Sequence, residues 1–513
     1  MRGLIALLLA LPASAEPLFE PRNLPVSHIY DGGWEHFVGG GVAVFDCNED
    51  GLLDVFAAGG ENPEQLFINT TQPGGGLTFR VASFEPRGAV TGAYPLDIDS
   101  DGAMDLAVLR VGENHLLKGL GDCEFRSAND DWGFDGSDRW STAFSATWEV
   151  GRDWPSLAIG NYVDRDDPDG PFEACDANAL YRHDGEGYTR QALEPGFCAL
   201  SMLFSDWNRS GVADLRVSND RHYYVRGGSE QMWAMPKLTL RDGDGWEPIS
   251  IWGMGIASRD VTGDGLPDVM LTSMGDQLLQ FASPQGYSNA PFEVGAAAHR
   301  PHVGDDGRPS TGWHAQFGDV DNDGLADLFI AKGNVDQMPG MAMRDPNNLL
   351  MGLPDGRFTE QAVSAGIATT DRARGAALAD LNKDGLLDLV VINRRAEMEI
   401  YQNVTKDAGH WVSVSVSQPA TNLNAVGAWV ELEAGAGVQV QEITVGGGHV
   451  SGQAGPLHFG LGSAARAKIR VIWPDGMASD WHEIESGQQY DLARTISPLE
   501  GRSGQILVSP SDR

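Results

Sequence analysis

The residues best placed to do chemistry lie in a nine-residue frame with oxygen-bearing side chains at positions 1, 3, 5 and 9 and glycine at position 6. In FGDVDNDGLADLFIAKGN these are Asp319, Asp321, Asp323 and Asp327, with Gly324 at the sixth position. Carboxylates this close repel one another unless a cation sits among them, and a glycine permits the sharp turn that aims them at one centre. Hard oxygen donors at this spacing suit calcium. The frame recurs as Asp46, Asn48, Asp50 and Asp54; as Asp97, Asp99, Asp101 and Asp105; as Asp206, Asn208, Ser210 and Asp214; as Asp260, Thr262, Asp264 and Asp268; and as Asp380, Asn382, Asp384 and Asp388. Up to six calcium ions are therefore expected. On acid count alone, the Asp97 and Asp319 turns should bind most tightly and the Asp206 turn most weakly. An EF-hand would add a bidentate Glu at position 12 and flanking helices. Position 12 is apolar in every copy, Ile330 in this one, and the flanks HAQF and DLFIA are short and β-compatible. Each loop is read as the tip of a β-hairpin rather than a dockerin-like helical repeat.

The elements that must hold these loops follow from their period. The loops start at 46, 97, 206, 260, 319 and 380, and the gap from 97 to 206 is double the usual one. ATWEVGRDWPSLAIGN fills it as a decayed copy, with Trp148, Arg152 and Ser156 where ligands are expected. Counted near 148, the intervals run from 51 to 61 residues. Seven such units, with roughly four strands each, predict an all-β, seven-bladed β-propeller. A second recurring element reads as an outer strand: PLFEPRNL, LTFRVASF, CEFRSAND, GYTRQALE, GWEPISIW, PFEVGAAA and RFTEQAVS. The first of these, around Phe19, has no earlier hairpin to join. It is expected beside EIYQNV in the last blade, where it would close the ring and hide the sheet edges.

MRGLIALLLALPASAEP has a basic residue, an apolar core and small residues at Ala13 and Ala15, the form of a cleavable export signal. Residues 1–15 are thus expected to be a signal peptide, 16–405 the propeller, 406–496 a small β-domain and 497–513 a tail. No later run reaches the roughly 18 to 20 apolar residues of a spanning helix, so a periplasmic or extracellular protein is expected. The formal charge of -36 argues against nucleic acid and anionic membranes as partners, while 42% apolar residues and 14 Trp argue against disorder. In an oxidising compartment the four cysteines are expected to pair, as Cys175 with Cys198 and Cys47 with Cys123, each pair linking neighbouring repeat units. No CxxC supports a cysteine metal site. From His410 to Leu492, runs such as WVSVSVS, WVELEA and VQVQEITV alternate as strands. VGGGHV within this region reads as a turn or as a loop that approaches a ligand.

The repeats resemble the FG-GAP or VCBS type of integrin α-subunit propellers and many exported bacterial proteins, and NNLLMGLPDGRFTEQAVSAGI strengthens the likeness. GAWVEL, GGGHVSGQ, LHFGLG and VIWPDG then resemble the ASPIC/UnbV domain. Repeats followed by this domain resemble the cartilage acidic protein family and its bacterial relatives. That resemblance implies an integrin-α-like propeller, calcium binding and interaction outside the cytoplasm, and no established reaction for bacterial members.

Hairpin topology places a second rim opposite the acidic turns. It carries NYVDRDDPDG, SNDRHYY, KGNVDQ, NRR, DGGWEH, STGWHAQ and DRARG, richer in Arg, His and aromatics than the turns. Asp164, Arg221, His222, Trp313, His314, Asp336 and Arg394 are the candidate binding residues there. Three readings stand at this point. The first is a calcium-braced binding or adhesion module for a protein or glycan. The second is a carbohydrate-active enzyme, lyase- or dehydratase-like, with its site on this rim. The third is a structural part of an envelope assembly. No GxSxG, HExxH or P-loop spacing appears.

Overall fold

Runs such as VAVF, and VFA after Asp54, are apolar at successive positions because their strands are covered on both faces, and both strands are buried throughout. The computed structural model describes the chain except residues 1–14, 169, 172, 221–227, 244, 298, 305–306, 436, 496–502 and 512–513. The expected leader, Arg221 and His222 lie outside the described residues.

The strands form consecutive four-stranded antiparallel sheets. The first contains Val42–Phe45, Asp54–Ala57, Gln65–Asn69 and Phe79–Val81; the second Val90–Leu96, Asp105–Glu113, His115–Gly119 and Phe125–Ser127. Asp138–Thr147, Ser156–Asn161, Asn178–His183 and Tyr188–Leu193 follow, joined to the second sheet where 138–140 pairs with 111–113. Next come Ala199–Ser205, Asp214–Asn219, Gln231–Ala234 and Thr239–Leu240, then Gly253–Arg259, Asp268–Ser273, Leu278–Ser283 and Gly286–Asn289. Gly312–Gly318, Asp327–Lys332, Asn348–Gly352 and Phe358–Glu360 precede the last set, Arg372–Ala379, Asp388–Arg394 and Glu399–Asn403. The N-terminal strand Phe19–Arg22 completes that set, with Phe19 opposite Asn403. The first strand of each set lies against the first strand of the next, and Arg372–Ala379 lies against Val42–Phe45, so the ring closes. The chain is an all-β propeller.

Two outer strands differ from expectation. In the fourth and fifth sets they are Thr239–Leu240 and Gly286–Asn289, not GWEPISIW and PFEVGAAA. Pro248 and Pro291 lack the N–H that a ladder needs, and Phe292–Val294 instead forms a 3-10 turn ended by left-handed Gly295.

His410–Ser417, Leu457–Gly462, Gln488–Arg494 and Ile506–Pro510 form one sheet of the C-terminal domain, and Trp429–Ala434, Gly437–Glu442, Arg466–Ile472 and His482–Glu485 the other. Val412, Val430, Leu432, Phe459, Ile469 and Trp473 fill the space between them. Ile506–Pro510 lies in the segment expected to be a tail, yet it pairs with Gln488–Arg494 as an edge strand. Both disulfides form as expected, Cys47 to Cys123 and Cys175 to Cys198. Among the described residues no helix is long and apolar enough to cross a membrane.

The segment VGGGHVSGQ, whose sequence reads as a turn or a ligand loop, leaves the C-terminal domain and fills the axis of the ring. Val445 O accepts from Ala146 N at 3.1 Å, Gly447 N donates to Met202 O and Gly448 N to Ile256 O, each at 2.7 Å. His449 N donates to His314 Nδ1 at 3.1 Å, and Val42 N donates to Ser451 Oγ at 3.1 Å. Gly452–Ala454 then runs parallel to Ala43–Phe45. This approach demands glycine on the ring: a Cβ on Gly41 or Gly92 would stand 1.8 or 2.0 Å from Val450 O.

Candidate metal turns

Each acidic turn is built on its first and ninth residues. Asp319 Oδ1 accepts from Asp323 N at 3.1 Å and its Oδ2 from Gly324 N at 2.8 Å. Gly51, Gly102, Gly211, Gly265 and Gly385 donate in the same way to Asp46, Asp97, Asp206, Asp260 and Asp380. The fourth residue takes the left-handed conformation in Glu49, Ser100, Arg209, Asn322 and Lys383, with φ between 53 and 60°. The turn is therefore a backbone nest whose N–H groups already hold the first carboxylate.

The ninth residue does something the sequence reading missed. Asp327 Oδ2 accepts from Val320 N at 2.9 Å and its Oδ1 from Gly352 N at 2.8 Å, tying the turn to the end of the third strand. Asp54, Asp105, Asp268 and Asp388 repeat both bonds. The signal lay in the invariance of this Asp among the six turns, where positions 3 and 5 vary.

Ligand atoms of Asp97, Asp99 and Asp105, and of Asp319, Asp321 and Asp327, gather within 4.8 Å of one another. Cys47, Asp54 and Cys123 also gather, but both sulfurs belong to a disulfide. In the first turn, position 3 is Asn48, which donates to Asp50 Oδ2 at 2.9 Å. Thr262 N, in the fifth turn, donates to Asp268 Oδ2 at 3.1 Å. Asp264 Oδ1 accepts from Leu266 N at 2.9 Å, and Asn382 donates to Asp384 Oδ2 at 2.8 Å. Burial disfavours the charged carboxylates: Asp97 is pushed up to about 6, Asp54 and Asp380 to about 7, and Asp105 to about 8. Burial, then the charges of Asp323 and Asp321, raises Asp319 well above the carboxylate range. Buried acids of this kind fit a hard divalent cation, which would supply the missing positive charge.

The third and fourth turns are different. In the third, Ser156 Oγ donates to Glu149, and Arg182 Nε meets the same carboxylate at 2.5 Å. In the fourth, Trp207 Nε1 and Arg241 both donate to Asp214 Oδ2, at 2.9 and 2.8 Å. Asn208 Oδ1 accepts from Ser210 N at 3.3 Å there, and Ser210 Oγ donates to Asp206.

Part of the turn face is covered by the chain itself. His458 Nε2 lies 2.7 Å from Asn322 Oδ1, and Gly409 N donates to Asp321 O at 2.9 Å. Asn422 N donates to Ser100 Oγ, while Asp206 N and Ser205 Oγ donate to Glu442. Gly460 packs so closely that a Cβ would stand 1.9 Å from Asp319 Oδ2.

On the opposite rim most of the expected binding residues are structural. Trp313 is fully buried, donates to Gly333 O at 2.7 Å and carries the Arg374 guanidinium 4.0 Å above its ring. His314 is buried against the axial loop, and burial lowers its imidazole to about 4. Arg394 is buried and donates to Gly32 O and His36 O. These three cannot meet a partner at the surface. Asp164 and Asp336 are half-buried; Asp164 accepts from Asp166 N, and Asp336 pairs with Arg395 at 2.8 Å. Residues that do reach solvent there include Trp34, half exposed and stacked on Phe37 at 4.7 Å, and Arg395, which also pairs with Asp31 at 2.9 Å.

A closed ring of small antiparallel sheets, with acidic hairpin tips on one face and a β-domain docked over them, defines a repeat propeller with a C-terminal cap. Residues 46–108 and 319–391 match the FG-GAP-like repeat, and residues 418–498 match the ASPIC and UnbV domain. The chain therefore carries FG-GAP-like repeats and a C-terminal ASPIC/UnbV domain. No curated protein sequence matches it. Among solved structures it is similar to BBS1N in complex with ARL6DN, at 10% identity and a TM-score of 0.46, covering 75% of this chain and 97% of that one. The N-terminal domain of Nup159 gives 10% identity and a TM-score of 0.41, covering 77% and 97%. A lectin of Agrocybe aegerita gives 14% identity and a TM-score of 0.29, covering 73% and 82%.

Proposed function

We propose that this chain is an exported, calcium-braced, seven-bladed propeller that binds a protein or glycan through the rim opposite its acidic turns. The observation that carries the reading is that the chain's own segments occupy the axis and part of the turn face. Its C-terminal domain packs on the Asp319 and Asp380 turns and touches the Asp97 and Asp206 turns, and the axial loop fills the channel. Among the described residues this rim presents the exposed Trp34 and the linked Asp31, Asp336, Arg372 and Arg395, where Arg and an exposed aromatic can anchor a partner. The carbohydrate-enzyme alternative needs polar groups converging in a cleft on this rim, whereas Phe37, Trp140, Tyr162, Met254 and Trp313 pack into an apolar core. Two disulfides accord with export.

Calcium is the brace in this reading. Each ion that binds only the folded chain stabilises it by about 2.7 kcal/mol at a hundredfold excess over its dissociation constant. The test has two arms. Calcium added to chelator-stripped protein should raise the melting temperature, and Asp321→Asn should remove part of that rise. On a panel of glycans and envelope extracts, Trp34→Ala should lose the ligand that the parent retains while melting alongside it. Melting indifferent to calcium would remove the brace, and binding untouched by Trp34→Ala would move the contact surface elsewhere.

A further inference from the structure

Acid count ranks the Asp97 turn with the Asp319 turn as the strongest calcium sites, and one side chain reverses that ranking. Lys118 reaches into the Asp97 turn from strand His115–Gly119. Its Nζ touches Asp99 Oδ2 and lies 2.6 Å from Asp101 Oδ2, between the carboxylates of positions 3 and 5. Calcium held by Asp99 and Asp101 would approach their oxygens at 2.3 to 2.6 Å. The ammonium and the ion therefore compete for the same oxygens.

The placement is particular to this turn. In each intact turn the ninth Asp accepts from an amide at the end of the third strand: Asn69, Gly119, Met235, Ala282, Gly352 or Asn403. The residue just before that amide is Lys118 here and Ile68, Ala234, Phe281, Met351 or Gln402 in the others. Only the second sheet places a charge at this position among the six. The decayed third turn shows the same device, since Arg182 occupies the corresponding strand and pairs with Glu149.

We propose that Lys118 is the resident counter-ion of the Asp97 turn and that a divalent cation enters this turn only by expelling its ammonium group. The proposal rests on the calcium reading of the other turns. A tethered ammonium acts at a high effective concentration, so the turn should bind calcium about tenfold more weakly than its four acids imply. Lys118 retains 18% side-chain exposure, enough for the chain to swing outward. One oxygen of Asp99, Oδ1, is buried without a hydrogen-bond partner.

Calcium binding to chelator-stripped full-length protein, measured by calorimetry together with ion counting in native mass spectrometry, tests this. Lys118→Met should gain one site, or tighten one about tenfold, whereas Lys118→Arg should behave as the parent. In chelator, Lys118→Met should melt below the parent, and calcium should remove that difference. Asp321→Asn serves as the control for calcium binding elsewhere and should lose one ion from every background. If Asp321→Asn loses an ion while Lys118→Met neither gains one nor melts lower in chelator, the counter-ion role is overturned and the calcium reading stands. If no variant binds calcium, the calcium reading fails, and equal melting of Lys118→Met and parent in chelator then overturns the counter-ion role as well. Circular dichroism matching the parent's confirms that the variants are folded.

Discussion

At the scale of single residues, the acidic turns are two devices in one motif. The first and ninth Asp accept from backbone N–H groups, and in the Asp97 and Asp319 turns their carboxylates also gather with that of the third residue. Stability without metal should therefore depend on pH in a definite direction. Burial holds Asp97, Asp54, Asp380 and Asp105 above their unfolded values, at about 6, 7, 7 and 8. The folded chain thus keeps protons that the unfolded chain gives up near 4. Protons bound only in the folded state stabilise it below the unfolded value, and that contribution is lost as pH climbs through the folded values. In chelator, the urea midpoint should be higher at pH 5 than at pH 8; with calcium the two should converge, because the ion replaces the protons. Equal midpoints in chelator would show that these carboxylates are compensated some other way. The Asp spacing made the turns readable from sequence. Lys118 was not readable, because nothing in HLLKG tells which of seven turns its ammonium will enter.

At the scale of strands, the N-terminal segment is the instructive case. FEPR pairs with EIYQN from the other end of the propeller, with Arg22 opposite Ile400, and Leu18 N donates to Thr405 Oγ1 at 3.0 Å. Removing residues 16–23 would bare the edge of Glu399–Asn403, leaving its N–H and C=O groups open to other chains. The truncated protein should melt earlier and associate in light scattering; a monomer melting with the parent would mean the strand contributes nothing to closure. This pairing could be foreseen because one outer strand was left over when the others were assigned. The outer strands of the fourth and fifth sets escape such a reading because apolar runs alone do not register a proline's missing donor.

At the scale of the molecule, the Asp319 and Asp380 turns and the C-terminal domain form one buried junction. Gly460 lies against Asp319, so Gly460→Ala must displace either the carboxylate or the cap. The variant should lose both melting temperature and the calcium response of the Asp319 turn, with hydrogen exchange rising in Leu457–Gly462 and Asp327–Lys332 together. A rise confined to one of them would separate the two domains mechanically. None of this junction was visible in the sequence. Alternation identified the small β-domain, but where it would sit depends on glycines whose partners are far away along the chain.

The axial loop also sets a timetable. Gly39 N donates to His449 Nε2 at 3.2 Å across a separation of 410 residues. Contacts so distant in sequence form slowly, and they cannot form at all before the late segment has been made. Gly41 and Gly92 therefore meet the backbone they accommodate only after VGGGHVSGQ has been made. Synthesis order, not only final stability, is thus written into the centre of the ring.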